Sequence, residues 1–146
     1  MEKNGKGKEY DSDGKSKFEG EFLNNKKYNG KGFDEYTNII YELKNGGKVI
    51  EYYNFYDELF FEGEYLNGEK NGKGKECNNN CIIRLEGEYL NGLRNGKGKE
   101  YDYDCNLIFE GEYFNGKRNG TGKEYNKEGN LIFEGVYFNG LKKYLE

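Results

Sequence analysis

Proline, histidine and tryptophan are absent from the 146 residues, and so are alanine and glutamine. A helical bundle without one alanine runs against helix propensity. Without histidine there is no Ser/His/Asp or Cys/His nucleophile pair, no imidazole base and no His-containing zinc site. Long apolar runs are missing too: none passes four residues, far short of the roughly 20 a membrane helix needs. The N-terminus MEKNGKGKEY has no signal-peptide core, so a cytoplasmic chain is expected, soluble or peripheral to membrane or cytoskeleton. The net charge of −4 offers no basic footprint for nucleic acid. Leu, Ile, Val and Phe make up only about a fifth of the chain, at the border of what a packed core needs. With 15 Tyr, 10 Phe and 23 Gly, the aromatics must supply the packing.

What is present is a repeat. EGEY occurs at Glu62 to Tyr65, Glu86 to Tyr89 and Glu110 to Tyr113, with EGVY at Glu134 to Tyr137, so that Gly63, Gly87, Gly111 and Gly135 are 24 residues apart. NGKGKE follows at Asn71 to Glu76 and Asn95 to Glu100, varies at Asn119 to Glu124, and appears at Asn4 to Glu9. A period of this length marks an array in which stacked neighbours build the hydrophobic surface. The array divides into a half repeat 1–17, repeats 18–38, 39–60 (degenerate), 61–84, 85–108 and 109–132, and a C-terminal unit 133–146.

Within a unit, Phe109, Glu110, Gly111, Glu112 and Tyr113 alternate as a strand does. Asn-Gly pairs mark the turn in NGKRNG from Asn115 to Gly120. The expected fold is all-β: an elongated single-layer antiparallel meander of stacked β-hairpins. Pairing Asn115 with Gly120 predicts the register Glu112 opposite Lys123 and Tyr113 opposite Gly122, with Glu88 and Lys99, Tyr89 and Gly98, Glu64 and Lys75, and Tyr65 and Gly74 matched likewise. Each hairpin then carries one ion pair on one face and an aromatic ring over glycine on the other.

These residues, FEGEYLNGEKNGKGKE at Phe61 to Glu76 above all, resemble the MORN (membrane occupation and recognition nexus) repeat. The departures are Tyr or Phe where the family usually has Trp after EGE, and a period of 24 against about 23. The resemblance implies a scaffold, dimerising platform or peptide-binding groove. Family members that accompany lipid kinase or methyltransferase domains carry catalytic sequence not found here.

The unit before Phe61 breaks the rule. Counting back 24 residues puts Ile39 and Ile50 at the glycine positions, within an apolar stretch that also holds Tyr41, Tyr52, Tyr53, Phe55 and Tyr56. Two readings stand: a strand pair filling space with β-branched residues, or an exposed aromatic patch for a partner. At the C-terminus, Leu141, Tyr144 and Leu145 have the spacing of a short amphipathic turn capping the last hairpin. The bare half repeat at Asn4 to Tyr10 is the edge open to self-association.

Chemistry is hard to find. Cys77, Cys81 and Cys105 are an odd set without histidine, and Cys81 and Cys105, two strands apart, are too distant for a disulfide. No metal or cofactor is expected. The recurring glutamates share one environment and face lysines, whereas an acid/base pair needs two different ones. NGKGK lacks the Gly-Lys-Ser/Thr ending of a phosphate loop. The expectation is a non-enzymatic scaffold binding a protein or peptide along an aromatic sheet face, with Tyr41, Tyr53, Phe61, Tyr65, Tyr89, Phe109, Tyr113, Phe133 and Tyr137 lining the groove. A membrane or phosphoinositide-surface adaptor, or a small antitoxin-like regulator, are the alternatives.

Overall fold

The computed structural model describes residues 2–53, 58–66, 69–78 and 82–144, with the backbone alone at 53, 58 and 59. The described residues are all-β. Strands β1 (Gly5–Tyr10), β2 (Ser16–Leu23), β3 (Lys26–Phe33), β4 (Ile39–Lys44), β5 (Lys48–Tyr53), β6 (Glu58–Leu66), β7 (Glu69–Cys77), β8 (Ile83–Leu90), β9 (Leu93–Tyr101), β10 (Leu107–Phe114), β11 (Lys117–Tyr125), β12 (Leu131–Phe138) and β13 (Leu141–Lys143) follow one another in space as in sequence. They form one 13-stranded antiparallel meander, the architecture expected from the alternation.

The register differs from the expected one. Phe114 pairs with Lys117, Tyr113 with Arg118, Gly111 with Gly122 and Glu110 with Lys123. The first Asn-Gly pair alone makes the turn: Asn115 and Gly116 both have positive φ (48° and 82°), as do Asn91 and Gly92 (50° and 83°), the signature of a two-residue type I′ hairpin. The second Asn-Gly pair makes a bulge in which Gly72, Gly96 and Gly120 take φ of 99°, 103° and 104°. The carboxylates of Glu64, Glu88 and Glu112 accept the backbone N–H of Lys73 (2.8 Å), Lys97 (2.7 Å) and Thr121 (2.6 Å) across this bulge. These glutamates therefore hold the bulge instead of facing Lys75, Lys99 and Lys123. The aromatics shift with them: Tyr113 covers Gly98 of the preceding hairpin, and Tyr137 covers Gly122.

Two rows run across the sheet as a result. Gly7, Gly20, Gly30, Leu43, Val49, Gly63, Gly74, Gly87, Gly98, Gly111, Gly122 and Gly135 are cross-strand neighbours in succession. The flanking positions form the second row, Lys8, Glu19, Lys31, Glu42, Ile50, Glu62, Lys75, Glu86, Lys99, Glu110, Lys123 and Glu134, alternating in charge except at Ile50. In the degenerate unit the glycine positions thus fall to Leu43 and Val49, and the expected Ile39 and Ile50 lie elsewhere. Larger side chains take the place of glycine in this unit, and Val49 is buried. The strands β4 and β5 pair regularly, as the space-filling reading expects; Phe55 and Tyr56 lie outside the described residues, as does the side chain of Tyr53.

At the C-terminus the expected amphipathic turn is replaced by β13, which pairs with Val136 to Phe138. Asn139 and Gly140 form the same type I′ turn as in the other units (φ 51° and 87°), and that turn returns the chain as a strand. Leu145 lies outside the described residues.

The fully described loops between hairpins share one design. Asp102 accepts the N–H groups of Asp104 and Asn106, as Asp34 does those of Tyr36 and Asn38, all at 2.9 Å. The fourth residue is left-handed: Gly14, Gly129, Cys105 (φ 64°) and Thr37 (φ 69°). A β-branched residue in that region is strained. Thr37→Asn is expected to stabilise the chain by about 1 kcal/mol, read as a raised midpoint in urea with an unchanged slope.

Candidate functional site

The two faces differ in chemistry. On one, Phe61, Leu85, Tyr89, Phe109, Tyr113 and Tyr137 form a single buried cluster, with Tyr65 and Phe133 partly buried against it. Phe109 is 0% exposed and meets Tyr113 and Tyr137 edge-on at ring-centre distances of 5.8 and 5.4 Å. Below the phenylalanine rings of this face lie glycines; above them stand cations. Lys27 stands 4.7 Å from the Phe18 ring, Lys70 4.2 Å from Phe61, Arg118 3.9 Å from Phe109 and Lys142 4.6 Å from Phe133. Such contacts add to packing when the pair is partly shielded from water.

Glutamates on the same face hold the cations of the regular units. Arg94 reaches Glu76 at 2.9 Å, Arg118 bridges Glu100 (2.8 Å) and Glu124 (3.0 Å), and Lys142 reaches Glu124 at 2.7 Å. Tyr89 donates its hydroxyl to Glu76 and Tyr137 to Glu124, both at 2.6 Å, and Tyr113 donates to Glu100. Burial opposes ionisation of Glu76 and Glu100, yet the arginine and tyrosine donors outweigh it and hold both carboxyls below their ordinary range. Burial, with the same carboxylates, drives the Tyr89 and Tyr113 hydroxyls up. Glu51 has the equivalent strand position opposite Phe61, but burial dominates there and its carboxyl is raised.

The expected aromatic groove is therefore closed. Phe61, Tyr89, Phe109, Tyr113 and Tyr137 are core residues, and cations stand over Phe61, Tyr89, Phe109 and Tyr137. Tyr41 stands apart, stacked on Phe18 at 6.4 Å, and the Tyr53 side chain lies outside the described residues. The structure brings the first group together and leaves little ring surface for a partner.

The recess lies on the opposite face. A groove of about 1150 Å³ runs across the strands from Glu62 to Val136, walled by Lys73, Lys75, Glu86, Glu88, Lys97, Lys99, Glu110, Glu112 and Lys123 and floored by Gly74, Gly87, Gly98, Gly111 and Gly122. Its walls are the alternating row: Lys99 has Glu86 on one side and Glu110 on the other, and Lys123 has Glu110 and Glu134. Tyr101 and Tyr125 close the side by donating hydroxyls to Glu86 (2.6 Å) and Glu110 (2.5 Å); burial first, then Glu86, pushes the Tyr101 hydroxyl up to about 12. The groove thus presents an electrostatic pattern of alternating sign along its walls. Sequence reasoning missed the roles of Arg94, Arg118 and Lys142, although these cations recur every 24 residues and stand 18 residues after a glutamate that they bind.

No curated protein matches this chain. A family model for the MORN repeat matches residues 2–16, 61–82, 86–104 and 109–130, and these segments fall on the hairpins, bulges and capped loops that the structure repeats. MORN repeats are in general protein- and membrane-interaction modules, and the family is one of non-enzymatic repeat scaffolds. With more than half of its length matched, the chain belongs to the MORN repeat family.

Proposed function

We propose that this chain is a non-enzymatic scaffold that holds a protein or peptide partner in the charged groove across β6 to β12. The observation that carries this reading is the alternation of Lys75, Glu86, Lys99, Glu110, Lys123 and Glu134 along one continuous recess with a glycine floor. Neighbouring charges of opposite sign are one strand apart, about 4.8 Å. A helical segment with opposite charges on successive turns, spaced by about 5.4 Å, matches that pattern over a few turns; a uniformly acidic or basic surface does not. The same pairing argues against the lipid-surface alternative, since each of Lys75, Lys99 and Lys123 stands between two glutamates and has no field to spare for anionic headgroups.

The test is peptide display against the intact chain, followed by calorimetry on the selected peptides. Binding should weaken about tenfold or more with Lys99→Glu plus Lys123→Glu while the melting temperature stays near wild type. Unchanged affinity in that variant, or flotation of the protein with phosphoinositide vesicles at physiological salt in place of peptide binding, overturns the reading.

A further inference from the structure

The alternating row ends half satisfied. Inside the sheet every lysine of the row between β7 and β11 has glutamates on both sides. Among the described residues, Lys8 on the edge strand β1 has only Glu19 (2.9 Å), and Glu134 on β12 has only Lys123 (3.8 Å). The backbone shows the same deficit. β1 is paired on one side, and β13 covers only Val136 to Phe138 of β12, so that among the described residues no strand pairs with the outer side of Leu131 to Gly135. Leu131 and Ile132 there are 50% and 61% exposed.

The two open edges fit each other by a rule the chain itself supplies. Gly5 to Tyr10 reads GKGKEY, identical to Gly96 to Tyr101 in β9; β12 reads LIFEGVYF, one residue different from LIFEGEYF of β10. Inside the sheet the matching edges meet where β10 pairs with β11, whose Gly120 to Tyr125 reads GTGKEY, and where β8 pairs with β9. We infer that β1 of a second copy of this chain adds to the open half of β12, giving a head-to-tail assembly in which the sheet continues from one copy into the next.

The register follows from β10 and β11, where Phe109, Glu110 and Gly111 face Glu124, Lys123 and Gly122. Phe133, Glu134 and Gly135 then face Glu9, Lys8 and Gly7 of the second copy. Lys8 acquires Glu134 as its missing neighbour. Glu9 takes the place that Glu124 has beside Arg118 and meets Lys142, which among the described residues has one carboxylate, Glu124, where Arg118 has two. Val136 stands where Glu112 holds the bulge; a second strand assembled from β13 and a separate chain has no bulge to hold. Tyr144, 74% exposed and 6.1 Å from Phe133, occupies the place of the next unit's aromatic, and yields it to Phe22, which covers Gly7 as Tyr137 covers Gly122. A heterologous contact of this kind extends until it closes or forms a filament.

Sedimentation velocity on the full 146-residue chain over a range of concentrations at low salt tests it. Wild type should grow in mass with concentration beyond two copies, and Lys8→Glu or Glu134→Lys alone should weaken the association about tenfold by placing like charges opposite one another. An equimolar mixture of the two single variants restores assembly. In the mixture each junction joins either the native Lys8 of one variant to the native Glu134 of the other, or the introduced glutamate to the introduced lysine. A wild type that stays monomeric overturns the inference, as does growth that stops at two copies, single variants that associate like wild type, or a mixture that is not rescued. Circular dichroism on each variant keeps loss of fold apart from loss of contact, and the groove peptides should bind Lys8→Glu, which lies outside the groove, as they bind wild type.

Discussion

Gly111→Ala is expected to destabilise the sheet by about 3 kcal/mol, lowering the melting temperature by on the order of 10 °C. A Cβ at this position lies 2.7 Å from the Phe109 ring, 2.7 Å from the Thr121 carbonyl oxygen and 2.8 Å from the Gly122 Cα. Two of those three obstacles are backbone of the neighbouring strand, so no rotamer change relieves them. The strands must separate, and the ring must rise off the glycine row. Separation is transmitted outward, because Gly122 also sits beneath Tyr137.

The control is Gly92→Ala. Gly92 has φ +83° and nothing within 4 Å of an added Cβ, so that only left-handed strain opposes the methyl group, about 1–2 kcal/mol. If both substitutions cost the same, the close approach of strands at the glycine row is not what holds this sheet. Because stability in an array is a sum of unit and neighbour contributions, the Gly111 effect should be local: amide exchange should rise first in β10 and β11.

The hairpins, the meander and the 24-residue unit were legible because they rest on features local to a few residues: alternation, Asn-Gly pairs and recurrence. Register was not, since each regular unit carries two Asn-Gly pairs and either one satisfies the composition of a turn. The choice rests on a cross-strand acceptor, the Glu112 carboxylate on the Thr121 N–H, which makes the second pair a bulge and moves every later residue relative to its neighbour. The same shift reassigns the facing charges from Glu112 and Lys123 to Glu110 and Lys123. It also joins Tyr113 to the preceding hairpin, so an aromatic that was expected to cover its own unit instead ties two units together. The aromatic row itself was evident in the sequence. Its closure was not, because Arg118 meets Glu100 across 18 residues of chain, outside the reach of any strand-local pattern.

Phe109→Ala should cost about 3–5 kcal/mol. The ring is fully buried between the Gly111 and Gly122 backbone and the Arg118 guanidinium, and touches Tyr113 and Tyr137. Removing it leaves a cavity floored by strand backbone that cannot collapse inward. It also strips the apolar surface from beneath Arg118, whose bonds to Glu100 and Glu124 then stand in water, where such pairs contribute little. The chain contains the milder variant already. Leu85 occupies the equivalent place in the preceding unit, is 3% exposed, and leaves the Arg94 bond to Glu76 intact. Phe109→Leu is therefore expected to cost only about 1 kcal/mol, as a volume-conserving exchange does. Equilibrium unfolding in urea separates the outcomes: a loss for leucine as large as that for alanine would make the stacked ring and its cation essential, whereas a small loss assigns the stability to volume filled above the glycine row.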